Sequence, residues 1–202
     1  MKFAVLISGN GTNLQAIIDA VKAKEITAEP ALVISSREDA FGLKRAEEAG
    51  IETMIFSPKN YTNPQSVDRD MVVNLKQRGV DFVVLAGYMR LLTAFFVKEF
   101  PNRILNIHPA LLPSFKGGHG IKDAFTYGVK VTGVSVHFVD EKMDRGPIIA
   151  QEAVAIAEDD TLETLEAKLH AVEHRLYPKV IQLFVDGRLK VQGRKVNVLP
   201  EK

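Results

Sequence analysis

Five apolar runs of strand length alternate with segments of helical period over the first half of the chain, and no other feature constrains the fold as tightly. The runs Phe3 to Ser8, Ala31 to Ser35, Thr53 to Phe56, Phe82 to Ala86 and Arg103 to Asn106 read as strands. Asn13 to Ala23, Phe41 to Ala49, Val67 to Arg78 and Thr93 to Phe100 read as the helices between them. Strands joined through helices cross over rather than fold back, so neighbours run parallel and helices cover both faces of the sheet. The expected fold class is therefore α/β: a doubly wound, mostly parallel twisted sheet of Rossmann-like type. Ligands of such sheets lie outside the carboxyl ends of the strands.

The alternation breaks after Gly128. From Val131 to Val139 a period-two strand carries Val134, Val136 and Phe138 on one face and Gly133, Ser135 and His137 on the other, and the polar face is expected to line a site. A loop from Asp140 to Pro147 leads to a strand from Ile148 to Ile156, so the last strands are partly antiparallel. A long helix then opens with Asp160 as expected N-cap and Glu163 three residues on, burying Leu162, Leu165, Leu169, Val172 and Leu176. Pro178 lies inside its pattern, where a kink or break is expected. Arg188 to Val198 reads as a hairpin turning near Gly193, followed by a loose tail. The 202 residues suit one domain with a sizeable core. A Gly-rich, phosphate-binding half leads and a second half follows.

Composition narrows function by exclusion. With 26 basic and 25 acidic residues the net charge is +1, which offers no extended basic face to nucleic acid or anionic lipid. Cysteine is absent, which removes disulfides, thiolate catalysis and Cys-ligated zinc and fits a reducing compartment. The apolar run after Lys2 is too short for a membrane span or a signal peptide, so the cytoplasm is the expected location.

Two strand exits carry polar groups that could meet. Ser8-Gly9-Asn10-Gly11-Thr12-Asn13 lies between a strand and a helix, where small residues let backbone amides approach an anion such as phosphate. No Gly-Lys-Ser/Thr follows and Leu14 replaces the third glycine of the dinucleotide fingerprint; tight turns of this kind also occur without ligands. Asn106-Ile107-His108-Pro109 ends the fifth strand, and Asn106 and His108, two apart, point to one side. Pro109 and Pro113 stop the strand and stiffen its exit, and should present that pair at a sheet edge rather than bury it. Asp144, in a downstream Asp-Arg-Gly-Pro loop, reads alone as turn chemistry. Together, a carboxylate beside an imidazole favours the protonated ring, and imidazolium plus carboxamide suits the oxygen of a tetrahedral intermediate.

Ala86 to Leu92 is a third strand exit, where Met89, Leu91 and Leu92 offer an apolar slot for a flat heterocycle or simple core packing, and Arg90 a carboxylate contact or a solvated charge. His170-Ala171-Val172-Glu173-His174 has the spacing of a helical zinc motif. Only Asp186 and Glu201 follow as acidic residues, so a third ligand on a downstream helix is lacking, and no metal is expected.

Taken together, these segments resemble the folate-dependent formyltransferase family on its glycinamide ribonucleotide branch. The matching pieces are Ser8 to Ile17, Leu85 to Arg90, Leu105 to Pro109, Thr132 to His137, Met143 to Ile148, Glu173-His174 and Tyr177-Pro178. Asn-x-His with a later Asp alone marks the wider group, which includes methionyl-tRNA formyltransferase and formyltetrahydrofolate hydrolase.

The resemblance implies transfer of the formyl group of 10-formyltetrahydrofolate to the amine of 5'-phosphoribosylglycinamide in purine biosynthesis, by a monomer or homodimer acting on small molecules. It implies Asn106, His108 and Asp144 as catalytic residues, and Gly11, Thr12, Asn13 and Glu173 as contacts of the phosphoribosyl substrate. Met89, Arg90, Leu91, Leu92, Asn106, Val139 and Asp140 would hold the folate. Thr12 stands where many relatives carry Ser. The Pro64 region lacks an arginine that some relatives turn toward the folate tail, and Lys116-Gly117-Gly118-His119-Gly120 departs from the pattern.

Overall fold

The computed structural model describes residues 1–201. Its elements run β1 (Lys2–Ile7), α1 (Thr12–Lys22), β2 (Glu29–Ser35), α2 (Phe41–Glu48), β3 (Thr53–Ile55), α3 (Pro64–Gln77), β4 (Phe82–Leu85), α4 (Ala94–Glu99) and β5 (Ile104–His108). Then come α5 (Gly120–Tyr127), β6 (Val131–Phe138), β7 (Ile148–Ala155), α6 (Leu162–Val185), β8 (Leu189–Gln192) and β9 (Lys195–Val198). One nine-stranded sheet has the order β3-β2-β1-β4-β5-β6-β7-β9-β8. The strands β1 to β5 pair in parallel, whereas β6 lies antiparallel between β5 and β7, as the change of pattern after Gly128 implied.

Alternation along β1 builds both layers at once. Phe3, Val5 and Ile7 face α1, α2 and α6, while Ala4 and Leu6 face α3 and α4, and all five are fully buried. Each of the four larger side chains contributes about 1.5–3 kcal/mol of burial, which is why an unbroken apolar run marks a central parallel strand. Strand order reverses between β2 and β4 on either side of β1. Loops leaving β1 and β4 therefore part to opposite faces and leave a crevice at their carboxyl ends.

Three expectations need correction, and one helix was not foreseen. The cap of α6 is Thr161, not Asp160: Thr161 Oγ1 accepts from the Thr164 amide at 3.3 Å and Thr164 Oγ1 from the Thr161 amide at 2.9 Å. Asp160 instead braces the turn before the helix, accepting from the Ala157 amide and the Lys168 ammonium, and these contacts hold its carboxyl at about 2. The helix runs through Pro178 without a break. Buried Tyr177 before it and Val180 and Ile181 after it pack both halves against the sheet, which offsets the roughly 3 kcal/mol cost of an interior proline.

Of the polar face of β6, only His137 reaches the crevice. Ser135 is buried beneath the 110–113 turn, donating to the Ala110 carbonyl at 2.6 Å and accepting from the Leu112 amide at 3.0 Å. Finally, Gly120–Tyr127 is a helix that the sequence pattern did not mark. Its short apolar stripe follows a glycine-rich loop that masks its start.

The β8–β9 hairpin forms, turning at Gly193, and extends the sheet beyond β7. Among the described residues no helix is long and apolar enough to cross a membrane.

Candidate active site

A cavity of about 810 Å³ opens at the carboxyl ends of β1, β4 and β5. At one end Gly11, Thr12 and Asn13 line it, with Glu173 reaching in from α6. At the other stand Met89, Arg90, Leu91 and Leu92 beside Val139 and Asp140, and between the two ends lie Asn106, His108 and Asp144. The residues expected as catalytic, substrate-binding and folate-binding thus all line one cavity.

The glycine end is backbone packed on backbone. Gly11 has φ +74°, a left-handed value that glycine adopts without cost, and a Cβ there would stand 2.7 Å from Gly42 Cα. Helix α1 begins immediately after it with no side-chain cap, so its first amides remain available to a ligand. Asn13 Nδ2 donates to Glu173 Oε2 at 3.0 Å, and His170 Nδ1 lies 2.9 Å from the same oxygen. Glu173 is buried, its side chain only 4% exposed, and raises the His170 pKa. The His-x-x-Glu-His run therefore turns its carboxylate toward the loop, and its two rings stack with centroids 6.2 Å apart. Among the described residues no group of three or more His, Cys, Asp or Glu is disposed to hold a metal ion.

The middle of the cavity is built from side chains of distant segments. Asp144 Oδ2 is 3.7 Å from His108 Nδ1 and accepts from the Gly117 amide at 2.8 Å, while its Oδ1 is 3.6 Å from His137 Nε2. Burial works against the Asp144 charge, but His137, the Gly117 amide and His108 outweigh it and hold the carboxyl below its ordinary range. Asp144 itself sits at φ +50°, and the next turn is fixed because a Cβ on Gly146 would overlap the Phe138 carbonyl oxygen.

His137 links the constellation: Nε2 is 3.1 Å from Asn106 Nδ2, and Nδ1 is 2.7 Å from the Phe138 carbonyl. Sequence placed His137 on a polar face without giving it a role. The signal was its pairing opposite Asn106 across β5 and β6, which only the register reveals.

The Asn106 and His108 pair is not presented at an open edge, as the prolines suggested. The strand β5 lies inside the sheet and His108 is 4% exposed, because the loop from Pro113 to His119 folds over it. His108 Nε2 lies 2.7 Å from the Phe115 carbonyl.

At the far end Arg90 is neither free nor solvated. It pairs with fully buried Asp68, whose other oxygen accepts from the Thr93 amide at 2.7 Å, so the ion pair fixes the exit loop of β4. The Met89 amide donates to Ser8 Oγ at 2.9 Å, which ties that loop to the end of β1. Met89 and Leu91 remain 73% and 60% exposed on the cavity rim, while Leu92 is buried in the core beside α3 and α4. The exposed pair is an apolar wall with nothing packed against it.

Residues 1–181 match the family model described as formyl transferase. The chain is 44% identical over 181 residues to phosphoribosylglycinamide formyltransferase of Bacillus subtilis, covering 90% of this chain and 93% of that protein. It is 44% identical over 191 residues to the enzyme of that name from Escherichia coli, covering 95% and 90%. The crystal structure of glycinamide ribonucleotide transformylase 1 from Symbiobacterium toebii superposes with a TM-score of 0.97 at 48% identity, over 99% of this chain and 94% of that one. A doubly wound sheet with this cavity at its switch point, matched along nearly its whole length, belongs to the formyl transferase family.

Proposed function

We propose that this protein transfers the formyl group of 10-formyltetrahydrofolate to the amine of phosphoribosylglycinamide. The observation that carries the reading is the cavity itself: an uncapped helix start for a phosphate, an apolar wall for a heterocycle, and a carboxamide, imidazole and carboxylate between them.

The amides of Gly11, Thr12 and Asn13 hold the phosphate, and Glu173 accepts hydrogen bonds from the ribose or glycinamide end. The pterin lies along Met89 to Leu92 and Val139. So placed, the amine and the formyl carbon meet near Asn106. The amine nitrogen bonds to that carbon, its oxygen becomes anionic, and the bond to the folate nitrogen then breaks.

Asn106 has two amide hydrogens; one is directed to His137, and the other is free to donate to the oxyanion. His108 becomes the second donor when its Nε2 exchanges the Phe115 carbonyl for that oxygen. Asp144 balances the ring's charge and, through a water, takes the proton lost by the amine and returns one to the departing nitrogen.

An absorbance assay of folate deformylation with each substrate omitted in turn tests this. Absorbance should change only when both are present, with N-formylated ribonucleotide as product. Formate release without the amine substrate would overturn the transfer reading.

A further inference from the structure

The Gly-rich loop has a second layer behind it that the reaction itself does not use. Three successive carbonyls in the loop are each engaged on the side away from the cavity. The Gly9 carbonyl accepts from the Gly42 amide at 3.1 Å, that of Asn10 from Arg45 Nε at 2.9 Å, and that of Gly11 from the Gln15 amide at 2.9 Å.

Arg45 does more than hold the Asn10 carbonyl. Its Nη2 donates to Asn10 Oδ1 at 2.9 Å and its Nη1 to Gln15 Oε1 at 3.2 Å, so all three nitrogens of the fork are used on this loop and the first turn of α1. Its guanidinium also lies over the Phe41 ring, 4.9 Å from the centroid. A planar, permanently charged fork stacked on a ring has little freedom left, and lysine cannot reproduce it.

We infer that Arg45 is a positioning residue for phosphate recognition: it holds the carbonyl and side chain of Asn10 back, so that, with the Gly9 and Gly11 carbonyls held by the Gly42 and Gln15 amides, only amides face the anion. An oxyanion is repelled by any carbonyl oxygen that swings toward it, and the fork prevents that rotation at Asn10. Its positive charge behind the loop also favours an anion in front. The inference rests on the reading that phosphate occupies this loop.

The test compares glycinamide ribonucleotide with the corresponding riboside, which lacks the phosphate, in wild type, Arg45→Met and Arg45→Lys. Thermal melting first identifies which variants are folded; the lysine variant retains stem and charge and is the milder change. Wild type should prefer the ribonucleotide in kcat/KM. Arg45→Met should lose at least about tenfold of that preference, the size expected for charge-assisted hydrogen bonds. The loss should fall in KM for the ribonucleotide, with KM for formyl folate and kcat/KM for the riboside held, and inorganic phosphate should weaken as a competitive inhibitor in parallel.

Arg45→Lys should fall in the same direction, because a single ammonium cannot hold three acceptors. An unchanged preference in either folded variant, or an equal fall for both substrates, would overturn the role of Arg45. A wild type indifferent to the phosphate would instead remove the reading on which it rests.

Discussion

The two ends of the reaction centre are made of different material. The end proposed for the phosphate is main chain: one strand-to-helix connection, two glycines in contact and an uncapped helix start, all within a few residues of β1 apart from the Gly42 and Arg45 braces. The transfer end is side chain: Asn106 and His108 on β5, His137 on β6, Asp144 on the loop beyond, and the Gly117 amide across from it. The first can be damaged by adding atoms, the second by removing them. On the proposed reading, in which one end binds substrate and the other stabilises charge that appears only in the transition state, the two kinds of damage should also separate in kinetics.

The largest expected effect is at the transfer end. Asn106→Ala and His108→Ala should each cost about 2.7–4 kcal/mol of transition-state stabilisation, a fall in kcat of roughly two to three orders of magnitude, with KM for the ribonucleotide held. Steady-state kinetics decide it; a rise in KM alone would place these residues with binding.

Next comes Gly11→Ala, which forces a side chain into a left-handed position for about 1–2 kcal/mol and presses a methyl on Gly42. Ribonucleotide affinity by calorimetry should drop with formyl folate affinity unchanged. Equal loss of both would show that the two ends are not independent.

Tyr177→Phe is a smaller change between the two. The buried hydroxyl sits 2.8 Å from the Leu85 carbonyl at the end of β4 and 3.0 Å from that of Leu105 within β5. Its removal should lower stability in urea titration by about 0.5–1.5 kcal/mol, the net contribution of a hydrogen bond.

The smallest effect is acid sensitivity at Asp144. Its folded carboxyl lies below the ordinary value of 3.8, so its ionised form contributes stability that is present above that value and lost as pH falls through the folded pKa. Asp144→Asn should therefore show a shallower loss of stability below about pH 4 than wild type. A parallel loss in both proteins would remove the carboxylate from that balance.

The same contrast governs what could be read from sequence. The Gly-rich connection is contiguous, so Gly11, Thr12 and Asn13 and the strand and helix around them were legible directly. Parallel order followed from the alternation of apolar runs. The transfer end was legible only in part. Asn106 and His108 announce themselves by spacing, but the approach of Asp144 depends on a β6 to β7 connection whose path no local pattern fixes.

His137 needed the antiparallel register that sets it opposite Asn106. The contact of His108 with the Phe115 carbonyl depends on a non-glycine residue at φ +48°, a conformation that no propensity foretells. Likewise Asp160 and Thr161 are both good caps, and only backbone direction distinguishes them.

The hydrogen bond from Asn13 to Glu173 joins residues 160 apart along the chain. During synthesis the glycine connection emerges early, yet its carboxylate partner follows only when most of the polypeptide has been made. On the proposed reading, this substrate contact is accordingly among the last to be completed in the nascent protein. Closing so long a loop is also slow, because its entropy is lost before the contact is gained.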